Sequence, residues 1–147
     1  MERRLDVLMV DDDHNDLALF GFAVDKANLD IWLRTLTAGQ QAIDYLLAQG
    51  EFTDRALHPL PDIILLDWRM PQVSGLDFLA WRKPSPLFSS IPVAVLSDFH
   101  SQEDLKRAIE MGADRTFSKP VDFDGWKQLV NDVWELGTQG TSFFEKL

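Results

Sequence analysis

The sequence predicts a doubly wound α/β fold in which five parallel strands alternate with five helices. Three observations carry this reading. Short apolar runs of strand length alternate with longer amphipathic segments along the whole chain. Two of the runs, Ile63 to Leu66 and Pro92 to Leu96, are apolar without alternation, as central parallel strands covered on both faces should be. The 147 residues, 46% hydrophobic and 26% charged, suffice for one cored domain, and no repeat, low-complexity tract or linker divides them. A single domain over 1–147 is expected, with its core at about 5–137 and a C-terminal tail at 138–147.

Leu5 to Val10 is the first strand, broken by Asp6 and ending abruptly in Asp11-Asp12-Asp13. From Asn15 to Ala27, apolar residues at Leu17, Leu19, Phe20, Phe22, Ala23 and Val24 suit a buried helical face. Asp30 to Leu36 reads as the second strand. Thr37 and Gln40 have capping-box spacing, in which hydroxyl and amide exchange bonds with backbone N–H groups. The helix they open runs through Ile43, Tyr45, Leu46 and Leu47 to a stop at Gly50. Glu51 to Pro61 carries two prolines and no periodicity, so it is a loop, longer than most helix-to-strand connections. After the third strand, a turn with Pro71 and Gly75 leads into a helix from about Leu76 to Lys83, stopped by Pro84. Beyond the fourth strand, Ser101 or the residue before it caps a helix reaching Met111, with Gly112 behind it. Thr116 to Ser118 is the fifth strand and ends at Lys119-Pro120. The last amphipathic helix spans about Asp124 to Leu136, with Gly137 as its stop.

Composition excludes several classes. Without cysteine there is no disulfide framework, thiolate chemistry or thiolate metal site. No apolar run approaches the roughly 18 residues of a membrane span, and no signal-peptide core follows Met1-Glu2-Arg3-Arg4, so a cytoplasmic location is expected. The formal net charge of −10 repels nucleic-acid phosphates and anionic membranes, so neither is expected as a partner. Cations, or a protein with a basic face, suit it better.

In an open parallel sheet, ligands bind at the carboxyl ends of the strands, near the point where strand order reverses. Asp11 and Asp12 follow the first strand, Asp67 the third, Ser97 the fourth and Lys119 the fifth. Convergence of these groups would be costly unaided, since like charges about 4 Å apart repel by about 4 kcal/mol at an effective dielectric near 20. A hard cation such as Mg²⁺, which prefers oxygen ligands, removes that cost and can clamp a phosphoryl group. Asp67 is then placed to act as a carboxylate nucleophile, Lys119 to neutralise a phosphoryl oxygen and Ser97 to donate its hydroxyl.

These residues carry a resemblance. Leu8-Met9-Val10-Asp11-Asp12, then Ile64-Leu65-Leu66-Asp67-Trp68-Arg69-Met70-Pro71 with Gly75, then Val95-Leu96-Ser97, then Ser118-Lys119-Pro120 occur in order at the ends of the expected strands. Over Leu5 to Leu136 the chain resembles the receiver domains of two-component response regulators. The resemblance implies a flavodoxin-like sheet of strand order 2-1-3-4-5 and a signalling switch rather than an enzyme acting on a metabolite. By the same resemblance, Asp67 accepts a phosphoryl group from a histidine kinase. Asp12 binds Mg²⁺ directly, Asp11 binds it through water, and the carbonyl of Arg69 completes the metal site. Ser97 reports the phosphoryl group and Lys119 pairs with it. The long loop before the third strand and the absence of an output domain are similar to the stand-alone regulators paired with bacterial phytochrome kinases. The implied contact face, for an unidentified downstream protein or for a homodimer, is the last two helices with the fifth strand between them.

Three positions depart from the family pattern. Asp98 stands where a small residue usually admits the phosphoryl group, and Arg69 is expected to pair with it across the mouth of the site. Thr116 replaces the aromatic that usually couples to the switch hydroxyl, and Phe99 puts a large apolar side chain at the rim. These departures leave a degenerate receiver, acting only as an unphosphorylated docking module, as the main rival. An aspartate-nucleophile phosphohydrolase, suggested by Asp11-x-Asp13, lacks both the following small hydroxyl residue and room for a cap. A flavin carrier needs a hydroxyl-rich phosphate loop where this chain has three aspartates. A calcium loop from Asp11 fails at Asp16 and Phe22, which replace its glycine and glutamate. Asp13 is expected to cap the first helix, the three histidines to lie at the surface, and Trp32, Trp81, Trp126 and Trp134 to pack as core or half-buried residues.

Overall fold

The computed structural model of the chain describes residues 4–98 and 102–146, with side chains up to residue 139. The apolar runs become β1 (Leu5–Val10), β2 (Ile31–Leu36), β3 (Ile63–Asp67), β4 (Val93–Ser97) and β5 (Arg115–Ser118). They form one parallel sheet of order β2-β1-β3-β4-β5, as expected. The two-residue period of a strand sorts their side chains. Leu5, Val7 and Met9 of β1 face one way, with Ile63 and Leu65 of β3, under α1 (His14–Ala27) and α6 (Phe123–Lys146). Leu8, Val10, Ile64 and Leu66 face the other way, under α2 (Gly39–Leu46), α3 (Gly75–Arg82) and α5 (Gln102–Glu110). Both faces of β3 and β4 are fully buried, which is why those strands carry no polar alternation.

Among the described residues the helices number six rather than five. Past Pro84 the chain makes a one-turn α4 (Pro86–Ser89), because Ser85 Oγ accepts from Phe88 N at 3.2 Å and Pro86 suits a first helical position. One side chain secures this region. Arg82, 2% exposed, donates to the carbonyls of Phe88 (3.0 Å), Ser89 (3.1 Å), Ile91 and Gly112 (3.4 Å) at the amino ends of β4 and β5.

Gly137 does not stop the last helix, and the expected tail at 138–147 is helical to Lys146. A Cβ on Gly137 would lie 2.9 Å from Leu5 Cδ1 and 3.3 Å from Ile63 Cγ2, so the glycine serves the close approach of α6 to the sheet. Thr138 Oγ1, one residue on, returns a bond to the Trp134 carbonyl at 2.7 Å. The second helix also differs from expectation. Gln41, not Gln40, reaches back to Thr37, accepting from its N at 2.9 Å, and α2 ends at Leu46. Gly50, at φ 62°, opens a single 3₁₀ turn, Gly50–Phe52, instead of closing the helix.

The loop that follows is held from within. Arg55 donates to the carbonyls of Tyr45 (2.8 Å), Leu46 (2.6 Å) and His58 (3.1 Å), while the His58 ring packs edge to face against Tyr45 and Phe52, which are tilted to each other. His58 is therefore half-buried in an aromatic cluster rather than a plain surface residue. Trp126 is buried, but Trp32 is 49% exposed on the edge strand β2, with the Arg4 guanidinium 4.2 Å above its ring.

Candidate functional site

The sheet delivers its polar residues where apolar side chains run out. The Asp11 N–H bonds the Leu36 carbonyl at 3.0 Å, which prolongs the β1–β2 ladder by one residue and buries Asp11 completely. Asp11 Oδ1 accepts from Asp13 N at 2.9 Å, while its Oδ2, also buried, has no hydrogen-bond partner. Asp13 caps α1 as expected, accepting from Asn15 N at 2.9 Å and Asp16 N at 3.4 Å. That bend leaves Asp12 exposed beside the buried pair.

Asp67 is the last residue of β3 and is buried. The turn after it is tight: Gly75 N bonds the Trp68 carbonyl at 3.0 Å, and a Cβ on Gly75 would stand 2.7 Å from the Asp67 carbonyl oxygen. Carboxylate oxygens of Asp11, Asp12 and Asp67 lie within 4.8 Å of one another. Across from them, Lys119 Nζ is 3.5 Å from both Asp11 Oδ2 and Asp67 Oδ1. Ser97 ends β4, buried and in register with Ser118, and its carbonyl accepts the Lys119 N–H at 3.1 Å.

The electrostatics follow from this crowding. Burial, then the neighbouring Asp11 charge, push the Asp67 carboxyl up to about 8, although Lys119 pulls the other way. Burial raises Asp11 to about 6 against the Asp13 N–H bond and the Lys119 charge. Burial alone would lower Lys119, but the Asp16 bond and the charges of Asp11 and Asp67 outweigh it and hold the ammonium above its ordinary value. An all-oxygen donor set, one of its oxygens buried without a hydrogen-bond partner and two of its carboxyls raised, fits a hard divalent cation.

One site residue was not singled out from the sequence. Asp16, on the first turn of α1, makes the shortest contact to Lys119, with Oδ2 2.6 Å from Nζ. Its only sequence signal is a position five residues beyond Asp11, where an acidic residue is also what the helix dipole favours.

The expected Arg69–Asp98 pair is replaced by another. The Arg69 guanidinium meets Asp104 Oδ2 at 3.4 Å on the first turn of α5, and Asp98 is exposed. The physical reason is reach: Asp104 is presented by a helix that faces the β3–α3 turn, where the two help line a cavity of about 620 Å³ with Trp68, Met70, Pro71 and Arg107. Thr116 is half-buried in β5, opposite Val95. Phe99 lies outside the described residues.

Comparisons with known proteins agree with one another. Residues 7–131 match the family described as the response regulator receiver domain. A probable methanogenesis regulatory protein, FilR2 of Methanothrix harundinacea, is 32% identical over 88% of this chain and 81% of its own. The response regulator Rcp1 of Synechocystis is 32% identical over 86% of this chain and 84% of its own. The Mn²⁺-bound structure of Rcp1 superposes with a TM-score of 0.78 at 27% identity, covering 89% of this chain and 92% of Rcp1. The phosphorylated cyanobacterial phytochrome response regulator RcpA superposes with a TM-score of 0.82 at 26% identity, covering 92% and 95%.

Proposed function

The chain belongs to the response regulator receiver domain family, whose members signal by phosphorylation with a histidine kinase as partner, and we propose that it works as a single receiver switched at Asp67. One observation carries this assignment: the carboxylates of Asp11, Asp12 and Asp67 converge within 4.8 Å, with the Lys119 ammonium 3.5 Å from Asp67.

In this reading an Asp67 carboxylate oxygen attacks the phosphorus of a kinase phosphohistidine. The new O–P bond replaces the N–P bond, whose electron pair leaves with the imidazole nitrogen, and that nitrogen takes up a proton. Later attack of water on phosphorus returns the carboxylate and inorganic phosphate. No metabolite is turned over. Lys119 pairs with a phosphoryl oxygen, and the Ser97 hydroxyl donates to another and so registers its arrival. Asp11, Asp12, Asp67 and the Arg69 carbonyl would hold Mg²⁺, which when bound supplies the positive charge that keeps Asp67 ionised and offsets the phosphoryl oxygens. The donor set and the Mn²⁺-bound form of the relative Rcp1 support a divalent cation.

The similarity to RcpA supports a phytochrome-type kinase as the donor. The α5–β5–α6 face serves as the contact for a second copy of the chain, supported by Ile109 standing half exposed on α5. Among the described residues no helix is long and apolar enough to cross a membrane, in keeping with a cytoplasmic switch.

The test is incubation with acetyl phosphate and Mg²⁺, following intact mass and Trp68 fluorescence, with Asp67→Asn in parallel. Gain of one phosphoryl mass that needs Mg²⁺ and is abolished in Asp67→Asn is the expected result. A protein that shows no Mg²⁺ response and takes no phosphoryl group from either acetyl phosphate or a phosphorylated kinase would overturn it.

A further inference from the structure

We propose that Asp16 competes with the phosphoryl group for the Lys119 ammonium and thereby sets how tightly the site holds it. The inference rests on the function proposed above and concerns a residue that the phosphorylation chemistry itself does not use.

Lys119 Nζ is 2.6 Å from Asp16 Oδ2 but 3.5 Å from the nearest oxygens of Asp11 and Asp67. Among the described residues its hydrogen bond thus goes to the carboxylate that takes no part in receiving phosphate. The bond is sheltered, with the two side chains 14% and 19% exposed, so solvent screens it only in part. Asp16 is carried on a fixed backbone. Its backbone N–H is tied to Asp13 Oδ1 within the first turn of α1, and the neighbouring Leu17 and Phe20 are buried against the sheet. Asp67 approaches from β3, in the sheet itself. To come within hydrogen-bond distance of an oxygen carried on Asp67, the ammonium has to give up part of its contact with Asp16. Charge acts in the same direction: whatever part of the Lys119 charge Asp16 neutralises is not available to a phosphoryl group.

Beryllofluoride, a phosphoryl mimic that binds without covalent chemistry, measures this directly in the presence of Mg²⁺. Its affinity is determined by ¹⁹F NMR for the wild type, Asp16→Asn, Asp16→Ala, Lys119→Met and the Asp16→Ala/Lys119→Met double variant, with melting curves confirming that each is folded. Asp16→Ala should bind about three- to tenfold more tightly, as loss of a part-exposed charge-assisted bond implies. Asp16→Asn, which keeps an acceptor but not the charge, should fall between it and the wild type. In the Lys119→Met background the gain should vanish, because no ammonium remains to compete for. Unchanged or weaker binding by Asp16→Ala overturns the proposal, and so does a gain that persists without Lys119, which would mark Asp16 as a repulsive charge only. A folded wild type that binds no beryllofluoride sinks the proposed function, and this inference with it.

Discussion

Asp67→Asn keeps the size of the buried side chain and removes the ionisation that the fold opposes most strongly. In the metal-free protein Asp67 titrates at about 8 instead of 3.8, so between those values folding takes up a proton that the unfolded chain does not bind. Each pH unit above 3.8 costs about 1.4 kcal/mol, which sets an upper bound of about 4 kcal/mol at neutral pH. Asp12, exposed beside it, opens the site to solvent, which raises the effective dielectric and brings the expected figure to about 2 kcal/mol. The sign follows from the raised value. Stability associated with protonated Asp67 is complete below 3.8, falls as pH climbs towards 8 and is then level. The amide carries no such dependence. Asp11, raised to about 6, faces Asp67 and is coupled to it, so the margin reports the pair rather than Asp67 alone; its sign is unchanged, because the amide removes the charge that repels Asp11. Urea denaturation in EDTA, followed by circular dichroism from about pH 5 to about pH 9, should show Asp67→Asn more stable, by a margin that widens up to about pH 8. Saturating Mg²⁺ should narrow the margin, since the cation stabilises the carboxylate and not the amide. A margin that is constant across that range, or a wild type that is the more stable of the two at high pH, would refute the reasoning.

Two further substitutions test the frame around the site. Gly75→Ala drives a Cβ to 2.7 Å from the Asp67 carbonyl oxygen, which is backbone and cannot rotate away; denaturation should show a loss of about 1–3 kcal/mol, and isothermal calorimetry a weaker Mg²⁺ interaction. Arg82→Met leaves the carbonyls of Phe88, Ser89, Ile91 and Gly112 short of a buried donor and should cost about 3 kcal/mol or more in urea, while the folded fraction still takes a phosphoryl group at the opposite end of the sheet.

The parts of the site that were legible in the sequence are those fixed by strand termini. A uniformly apolar run that ends in Asp67 states both a buried strand and a carboxylate at its rim, and four such endings in order define the site's membership. Contacts decided by packing left weaker traces. Asp16 meets a lysine 103 positions away, and as one more acid in a first helical turn it already had a sufficient local explanation. Gly137 shows the same conflict from the other side. Its local preference is to end a helix, yet a Cβ there would force the buried Leu5 side chain to shift, so tertiary packing selects the glycine and the helix continues. Arg69 chose Asp104 over Asp98 because a helix presented the one and a strand end the other, a distinction no spacing records.

Arg82 has a mechanical consequence for α5. The carbonyl of Gly112, just beyond the helix, accepts from Arg82, and Lys83 Nζ donates to the Glu110 carbonyl at 3.2 Å, so the carboxyl end of α5 is clamped to α3. At its other end, next to the β3–α3 turn, α5 meets the site through the largely exposed Arg69–Asp104 pair. A rod pinned at one end responds to a push at the other by pivoting rather than by sliding. Nine residues make α5 about 13 Å long, so a pivot of only about 10° carries its first turn through about 2 Å. A push at the Asp67 end would therefore surface as a tilt of the outer face of the same helix, with the displacement growing along its length from the clamp.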